Sequence, residues 1–368
     1  MKIIEQNIKQ LYPSSDFECG DAILDITASG RYFRTSRLLR IDLIRRNESR
    51  HNESRHNESR RNESRRNESG VRLISWISEQ ESDEYEMLTA LSDALDSIRR
   101  IITFNGNAFD LPHLHQKYKA FDLMDPLQGK QYLDLMLRLK PISRFLALPS
   151  GKLADFAGFL HLAQPDASDE VLPRPAQPDG SDEVLSRPAL PDGSDKVLQA
   201  SFHFLPGAEE KHEAGTPNDA LYTLECMSLL HYADFLDQGA RIREVTTDEE
   251  RVIFRLHYPD GFPVGFSVHD SGFHLRFSED GTVLLSSRIC NGSIRYYHTD
   301  VKNYWYLPLE GYAIHKSAAQ YVDKSRREKA VRENCYHLVP VSPAFLQDPA
   351  MLDGYLKSVL AYFATYSR

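Results

Sequence analysis

The chain has 368 residues, 41% of them hydrophobic, and a formal net charge of -9 at pH 7. This length allows a sizeable core and suggests two domains, while the acidic balance excludes a basic coat over the whole surface and still allows a local basic groove. The four cysteines lie far apart and form no CxxC pair, so the sequence indicates neither a disulfide framework nor a zinc ribbon.

The chain also lacks the usual signals of membrane insertion and export. Its N-terminal stretch, MKIIEQNIKQLYP, has no apolar core of the signal-peptide kind, and no apolar run approaches the length of a membrane span. We therefore expect a cytoplasmic protein without a membrane partner.

Patterns in the first hundred residues predict a mixed sheet. Apolar or alternating runs at 21–26, 37–44 and 71–77 predict three successive strands, which are typical of an antiparallel meander. Residues 82–100 carry apolar side chains at helical spacing, with acids early and two arginines at the end. This helix leads to the apolar run that starts at Ile101, and such a β-β-β-α-β order indicates an α/β sheet of mixed direction.

The stretch from Ile101 to Leu114, IITFNGNAFDLPHL, predicts a buried strand, a turn and a helix entry. Asp110 follows the C-terminal end of this strand, which is where open α/β sheets place their chemistry. A simpler role is also open, because Asp110 could cap the helix while Asn105 and Gly106 serve the turn. The residues alone do not choose between these roles.

Two tandem repeats interrupt this pattern. Residues 46–70 contain five near-copies of a pentapeptide such as RNESR, and residues 163–201 contain three copies of a 13-residue unit such as AQPDGSDEVLSRP. The pentapeptides have no apolar residue and Pro-Asp pairs punctuate the longer units, so neither insertion offers a core that would offset its ordering entropy. We predict solvated loops that carry no chemistry, although the arginines of the first repeat could contact a nucleic-acid backbone.

The rest of the chain predicts further helices and then a β-rich region. Residues 132–162 show helical spacing broken by two prolines, and residues 218–235 have a broad apolar stripe. Residues 241–297 contain β-rich segments separated by Pro-Asp-Gly, Asp-Ser-Gly, Glu-Asp-Gly and Asn-Gly turns, which are strong hairpin signals. We therefore predict a smaller, β-rich α+β domain over residues 241–368, closed by an amphipathic helix at 348–365.

Clustered aromatic residues precede a basic segment within residues 297–330. The basic residues are Lys316, Lys324, Arg326 and Arg327. Aromatic and basic side chains together suit base stacking and phosphate contact, which makes these four residues candidate nucleic-acid contacts. A packed aromatic sheet edge beside a solvated basic helix explains the same pattern.

A family resemblance rests on four segments of the chain. They are ILDITASG at 23–30, ITFNGNAFDLPHL at 102–114, YLDLMLRLKP with LPSGKLADFAGFL at 132–160, and the late helix at 218–235. Together they resemble the YprB-type ribonuclease H-like domain of the DEDD exonuclease superfamily, and the FNGNAFDLP part is the most specific. The resemblance implies a ribonuclease H-like mixed sheet flanked by helices over residues 1–240, with both repeats as insertions, followed by a C-terminal domain of unknown role.

The resemblance also implies a divalent-metal 3′-5′ exonuclease, with Mg²⁺ or Mn²⁺ held by carboxylates. Asp25 and Asp110 match two of the four metal-binding positions of the family. Thr27 and Cys226 stand where the family has the other two carboxylates. Tyr222 lies four residues before Cys226 and matches a tyrosine that orients water in some of these nucleases.

Two functions therefore stay open. The first is a metal-dependent nuclease of this type, weakened by the two missing carboxylates. The second is a catalytically inactive nuclease-like domain that serves as a nucleic-acid or protein binding module. We expect single-stranded DNA or RNA as the partner, with Asn105 among the candidate contacts.

Overall fold

The N-terminal part of the computed structural model contains a six-stranded sheet. Its strands are β1 (Lys2–Ile8), β2 (Asp21–Ala28), β3 (Leu38–Arg46), β4 (Val71–Ile77), β5 (Arg100–Thr103) and β6 (Gln131–Asp134). They are ordered β1-β4-β3-β2-β5-β6. β2 pairs antiparallel with β3 and parallel with β5, so the predicted mixed α/β sheet is confirmed.

The structure describes residues 1–46, 70–160, 218–270 and 272–364. The predicted loops of both repeats fall on 47–69 and 163–201, which lie outside the described residues. These described residues belong to one compact unit. Within the described residues, no helix is long and apolar enough to cross a membrane.

Helices lie on both sides of the first sheet. They are α1 (Asp83–Leu95), α2 (Asp110–Ala120), α3 (Leu135–Leu139), α4 (Leu153–Phe159), α5 (Asn218–Cys226) and α6 (Leu230–Gln238). Side chains alternate along β2, so Leu24 packs in one apolar cluster with α1 and α2, whereas Ile23 packs in another with α3, α4 and α5. By the same alternation, Asp25 and Thr27 point to the side on which α5 lies.

A second sheet follows α6. Its strands are β7 (Arg241–Thr247), β8 (Arg251–His257), β9 (Phe266–Asp270), β10 (Phe273–Phe277) and β11 (Thr282–Arg288), ordered β7-β8-β11-β10-β9. All neighbours are antiparallel, as the hairpin turns predict. Gly281 in the β10–β11 turn has a φ of +82°, and a Cβ there would lie 2.0 Å from the Tyr258 carbonyl oxygen. This turn therefore requires glycine.

Residues 293–364 add two smaller sheets and a long helix. The elements are β12 (Ser293–Tyr297), β13 (Tyr304–Leu307), β14 (Tyr312–His315), α7 (Lys316–Ala319), β15 (Glu328–Lys329), β16 (Tyr336–Pro340), α8 (Pro343–Gln347) and α9 (Pro349–Ala364). β12 pairs with β16, and the other small sheet is ordered β14-β13-β15.

One apolar core connects the two halves of the chain. It contains Ile23 and Leu224 from the first half together with Phe254, Phe277 and Phe363 from the second. The β-rich character of the C-terminal half is confirmed, while the domain boundary at residue 240 stays a prediction. The main consequence for the site is that β2, α2 and α5 are held by buried packing rather than by surface loops.

Candidate functional site

Asp25 lies near the end of β2 and points to the side on which α5 lies. In the β2–β3 pairing it stands directly opposite Asp42. Burial raises the pKa of Asp25 well above its usual range, and the carboxylates of Asp110, Asp219 and Asp42 raise it further, while Arg40 lowers it. Asp25 is therefore surrounded by more negative than positive charge.

Asp110 is the first residue of α2 and is buried, with 6% of its surface exposed. Burial, together with the nearby carboxylates of Asp134 and Asp219, raises its pKa to about 7. A backbone hydrogen bond from Ile26 on β2 acts in the opposite direction. The same contact links Asp110 to the strand that carries Asp25.

The turn before α2 fixes where Asp110 lies. Asn105 has a φ of +63°, and its backbone N–H donates to Asp134 Oδ1 at 2.8 Å. Asp134 also caps α3 by accepting from the Met136 N–H at 3.1 Å. A Cβ on Gly106 would lie 2.5 Å from the Thr103 side chain, so the Asn-Gly pair permits this tight turn. The structure thus assigns Asn105 a turn role, and its contact with nucleic acid stays a prediction.

Asp219 is the acid from the late helix that the structure brings to Asp25 and Asp110. It lies at the second position of α5, and its charge raises the pKa of both of the other aspartates. Sequence comparison overlooked Asp219 because it placed Cys226 at the metal-binding position. Helical periodicity does not reveal it, because Asp219 is exposed whereas Cys226, about two turns later on α5, is buried in the core.

Cys226 lies in the apolar core rather than at the acid cluster. Its side chain is fully buried, and burial raises the pKa of its thiol far above the usual range. The neighbouring Glu225 faces the N-terminal segment and accepts the backbone N–H groups of Leu11 at 2.8 Å and Tyr12 at 2.7 Å. Neither residue supplies a carboxylate to the cluster around Asp25.

Thr27 and Tyr222 flank the aspartates. Thr27 points to the same side of β2 as Asp25 and stands opposite Arg40 in β3, next to a register shift. Tyr222 lies three residues after Asp219, and both burial and the Asp219 charge raise its pKa. The tyrosine is thus near this group of acids, and its predicted role in orienting water stays a prediction.

A buried polar network supports the cluster from β3 and β4. Arg40 Nε donates to both Asp42 carboxylate oxygens at 2.9 and 2.7 Å, and Arg40 Nη2 donates to Ser75 Oγ at 3.1 Å. Ser75 Oγ donates to Asp42 as well. Burial nevertheless raises the pKa of Asp42. One arginine therefore compensates part of the negative charge beside Asp25.

The four predicted basic contacts lie in the C-terminal half. Lys316 and Lys324 are exposed. Arg326 Nη2 forms an ion pair with Glu310 Oε1 at 2.5 Å, and the Arg327 guanidinium lies 5.3 Å from the centre of the Trp305 ring. Arg326 and Arg327 thus take part in local packing, and all four stay candidates for nucleic-acid binding.

The donor set has the chemistry of a hard divalent cation site. Asp25, Asp110 and Asp219 offer carboxylate oxygens, and their mutual repulsion is the kind that a bound Mg²⁺ or Mn²⁺ would relieve. In the described ranges, no group of three or more His, Cys, Asp or Glu side chains could hold a metal ion. Mg²⁺ usually keeps several waters and uses one or two carboxylates with substrate phosphate, so Asp25 and Asp110 fit such a partly solvated site.

Comparison with known proteins agrees with this fold. A family model of the RNase_H superfamily matches residues 63–169, a segment that includes Asp110 and Asp134. No curated protein matches the chain. A solved structure titled "ExoI/SSB-Ct complex" is similar at 10% identity with a TM-score of 0.29, covering 94% of this chain and 74% of that chain. The mixed sheet and the family match together define an RNase H-like domain.

Proposed function

We propose that this chain is a metal-dependent nuclease of the YprB-type, DEDD-exonuclease class that acts on single-stranded nucleic acid. The observation that carries the proposal is that Asp25 on β2 and the buried Asp110 at the start of α2 interact with each other and with Asp219 on α5. Each comes from a different element, and each interacts electrostatically with the others. The raised pKa values of Asp25 and Asp110 support the proposal, because perturbed pKa values cluster at functional sites.

Each residue has a distinct task in this proposal. Asp25 and Asp110 bind the cation, and Asp219 adds negative charge from the late helix. Tyr222, near Asp219, orients the attacking water. A divalent ion held there supplies a Lewis acid that lowers the pKa of bound water and stabilises the leaving oxygen.

A binding module without catalysis is the second candidate, and Arg40 is the observation that favours it. Thr27 carries no charge where the family has a carboxylate, and Arg40 stands opposite it and lowers the pKa of Asp25. A fixed guanidinium near Asp25 reduces the attraction of this site for a second cation. We therefore propose that this chain cleaves more slowly than a nuclease whose site has four carboxylates. We also propose that the protein is cytoplasmic.

A cleavage assay tests the proposal. Labelled single-stranded DNA and RNA are incubated with the full chain in Mg²⁺ or Mn²⁺, and Asp110→Ala is compared with Asp237→Ala, which changes an exposed acid at the end of α6. We expect cleavage by the natural chain and by Asp237→Ala, and loss of cleavage in Asp110→Ala.

The variant Thr27→Glu separates the two candidate functions. It adds a carboxylate on the Asp25 side of β2 and should raise the rate of an active nuclease. If Thr27→Glu alone cleaves and the natural chain does not, the nuclease proposal is wrong for this chain and the binding module is favoured.

A further inference from the structure

The second sheet has one apolar face and one basic face. Along β8, the inward residues Val252, Phe254 and Leu256 are fully buried. The alternating residues Arg251 and Arg255 are exposed on the other face. Residues directly opposite one another in neighbouring strands share a face, so the pairing identifies the rest of this outer surface.

Arginine and histidine dominate the outer face. The pairing places Arg241 opposite His257, Arg288 opposite Arg251, and His274 opposite His269. Over the described strands β7 to β11, the outward basic residues are Arg241, Arg251, Arg255, His257, His269, His274, Arg276 and Arg288. On the same strands, Glu244 is the outward acid, and it lies 3.4 Å from Arg255. We call this surface the basic sheet face.

Charges on the basic sheet face act on one another. The rings of His269 and His274 are stacked with their centroids 4.0 Å apart. Burial lowers the pKa of His274, and the nearby His269, Arg251 and Arg276 lower it further. The outward acid on the described strands, Glu244, pairs with Arg255, so the charges around His274 on this face are mainly basic.

A cavity continues the basic sheet face at one end. It has a volume of about 540 Å³, and Arg241, Arg243, His257, Tyr258 and Asp260 are among the residues that line it. Arg241 and His257 belong to the cross-strand pair at that end of the sheet. A cavity of this size is within the range of small-ligand sites, and its basic lining suits an anionic group.

We propose that the basic sheet face binds the phosphate backbone of single-stranded nucleic acid. Neighbouring strands lie about 4.8 Å apart, and residues on one face of a strand lie about 6.8 Å apart. The arginine side chains of this face therefore form a two-dimensional array of hydrogen-bond donors, which extends over the length of several nucleotides. Guanidinium groups recognise phosphate through paired hydrogen bonds. The choice of nucleic acid as the partner rests on the proposed function. The binding surface itself lies outside the acid cluster.

Binding in the absence of metal tests this surface independently of cleavage. Fluorescence anisotropy of labelled oligo-dT and oligo-U, each about 20 nucleotides long to span more than one site, is measured with the full chain in EDTA. The variant Arg251→Gln/Arg276→Gln removes two charges from the centre of the face. Lys9→Gln/Lys119→Gln removes two exposed charges elsewhere and is the matched control.

We expect the arginine variant to weaken binding at least about tenfold and to reduce the slope of log affinity against log salt by about 2 between roughly 50 and 200 mM salt. The lysine control should retain the affinity and slope of the natural chain. Arg251→Lys/Arg276→Lys should retain the slope, because the charge is kept. Stronger binding to oligo-dT or to oligo-U shows whether the basic sheet face prefers DNA or RNA.

Three outcomes would overturn the inference. They are no binding by the natural chain, equal binding by the Arg251→Gln/Arg276→Gln variant, and an equal loss in the lysine control. Melting temperatures of all variants, compared with the natural chain, separate lost binding from unfolding. If Asp110→Ala loses cleavage but still binds the oligonucleotides, the binding role of the basic sheet face is still supported. The nuclease proposal and the binding-surface proposal can therefore fail separately.

Discussion

Asp219 on α5 raises the pKa of Asp25 on β2, although the second tandem repeat and most of the first sheet separate them in the sequence. This relationship changes the count of acids near the candidate site. Sequence comparison finds two carboxylates there, and the structure adds a third from the late helix. The added acid increases the attraction of this region for a divalent cation, because each carboxylate contributes negative charge.

The pKa of Asp110 predicts how stability depends on pH. Its folded-state pKa of about 7 lies above the usual aspartate value, so the folded chain binds this proton more tightly than the unfolded chain does. The contribution of Asp110 to stability is therefore greatest at low pH, falls as pH rises between about 4 and 7, and remains unfavourable above 7. Asp110→Asn keeps the side-chain size and removes the charge.

We expect Asp110→Asn to be more stable than the natural chain at a pH of about 8, by roughly 1 to 4 kcal/mol, when no divalent ion is present. The gain should shrink toward pH 4. Urea denaturation across this pH range measures it, with Asp237→Asn as the matched change at an exposed acid. A gain that is absent or independent of pH would contradict the electrostatic description of Asp110.

The position of Cys226 in the core predicts that it cannot be turned into a metal ligand. Cys226→Asp would place a carboxylate among apolar side chains, and we expect it to lower the free energy of unfolding by about 3 kcal/mol or more. Cys226→Ala should cost only about 1 kcal/mol, because it removes little volume and adds no charge. Denaturation midpoints compare the two variants. Equal stability together with stronger Mn²⁺ binding in Cys226→Asp would show that this position faces the acids.

A buried ion pair holds the segment that leads into β3. Lys117 Nζ donates to Glu84 Oε1 at 3.0 Å and to the Ser36 carbonyl oxygen at 2.5 Å, and Glu84 also accepts the Leu38 N–H. Lys117→Met should destabilise the fold by about 3 kcal/mol or more, because it leaves a buried carboxylate without its cation. Lys119→Met, on the exposed side of α2, should change stability by less than about 0.5 kcal/mol.

Chemical denaturation of these two variants gives the comparison. The double variant Lys117→Met/Glu84→Gln should recover part of the lost stability, since it removes the unpaired charge. Equal effects of Lys117→Met and Lys119→Met would mean that the ion pair contributes little to the fold.

Local patterns predicted much of the fold but not all of the site. The alternating run at 71–77 coincides with β4, and Asp110 begins α2 after a strand and turn. The edge strand β1 has no comparable signal, because most of its residues are exposed and no core face shows in the sequence. The position of Asp219 depends on which face of α5 packs against the core. Core residues such as Leu224 and Cys226 determine that face. Motif spacing does not contain this packing information.

Mn²⁺ binding to the full chain at a pH of about 8, where Asp110 is mostly ionised, tests the central claim most directly. Electron paramagnetic resonance of free Mn²⁺ gives the affinity for the natural chain, Asp219→Asn and the control Asp237→Asn. We expect the natural chain and Asp237→Asn to bind Mn²⁺ equally, and Asp219→Asn to bind at least about tenfold more weakly. No binding by the natural chain, or undiminished binding by Asp219→Asn, would contradict a cation site at Asp25 and Asp110 that the charge of Asp219 strengthens.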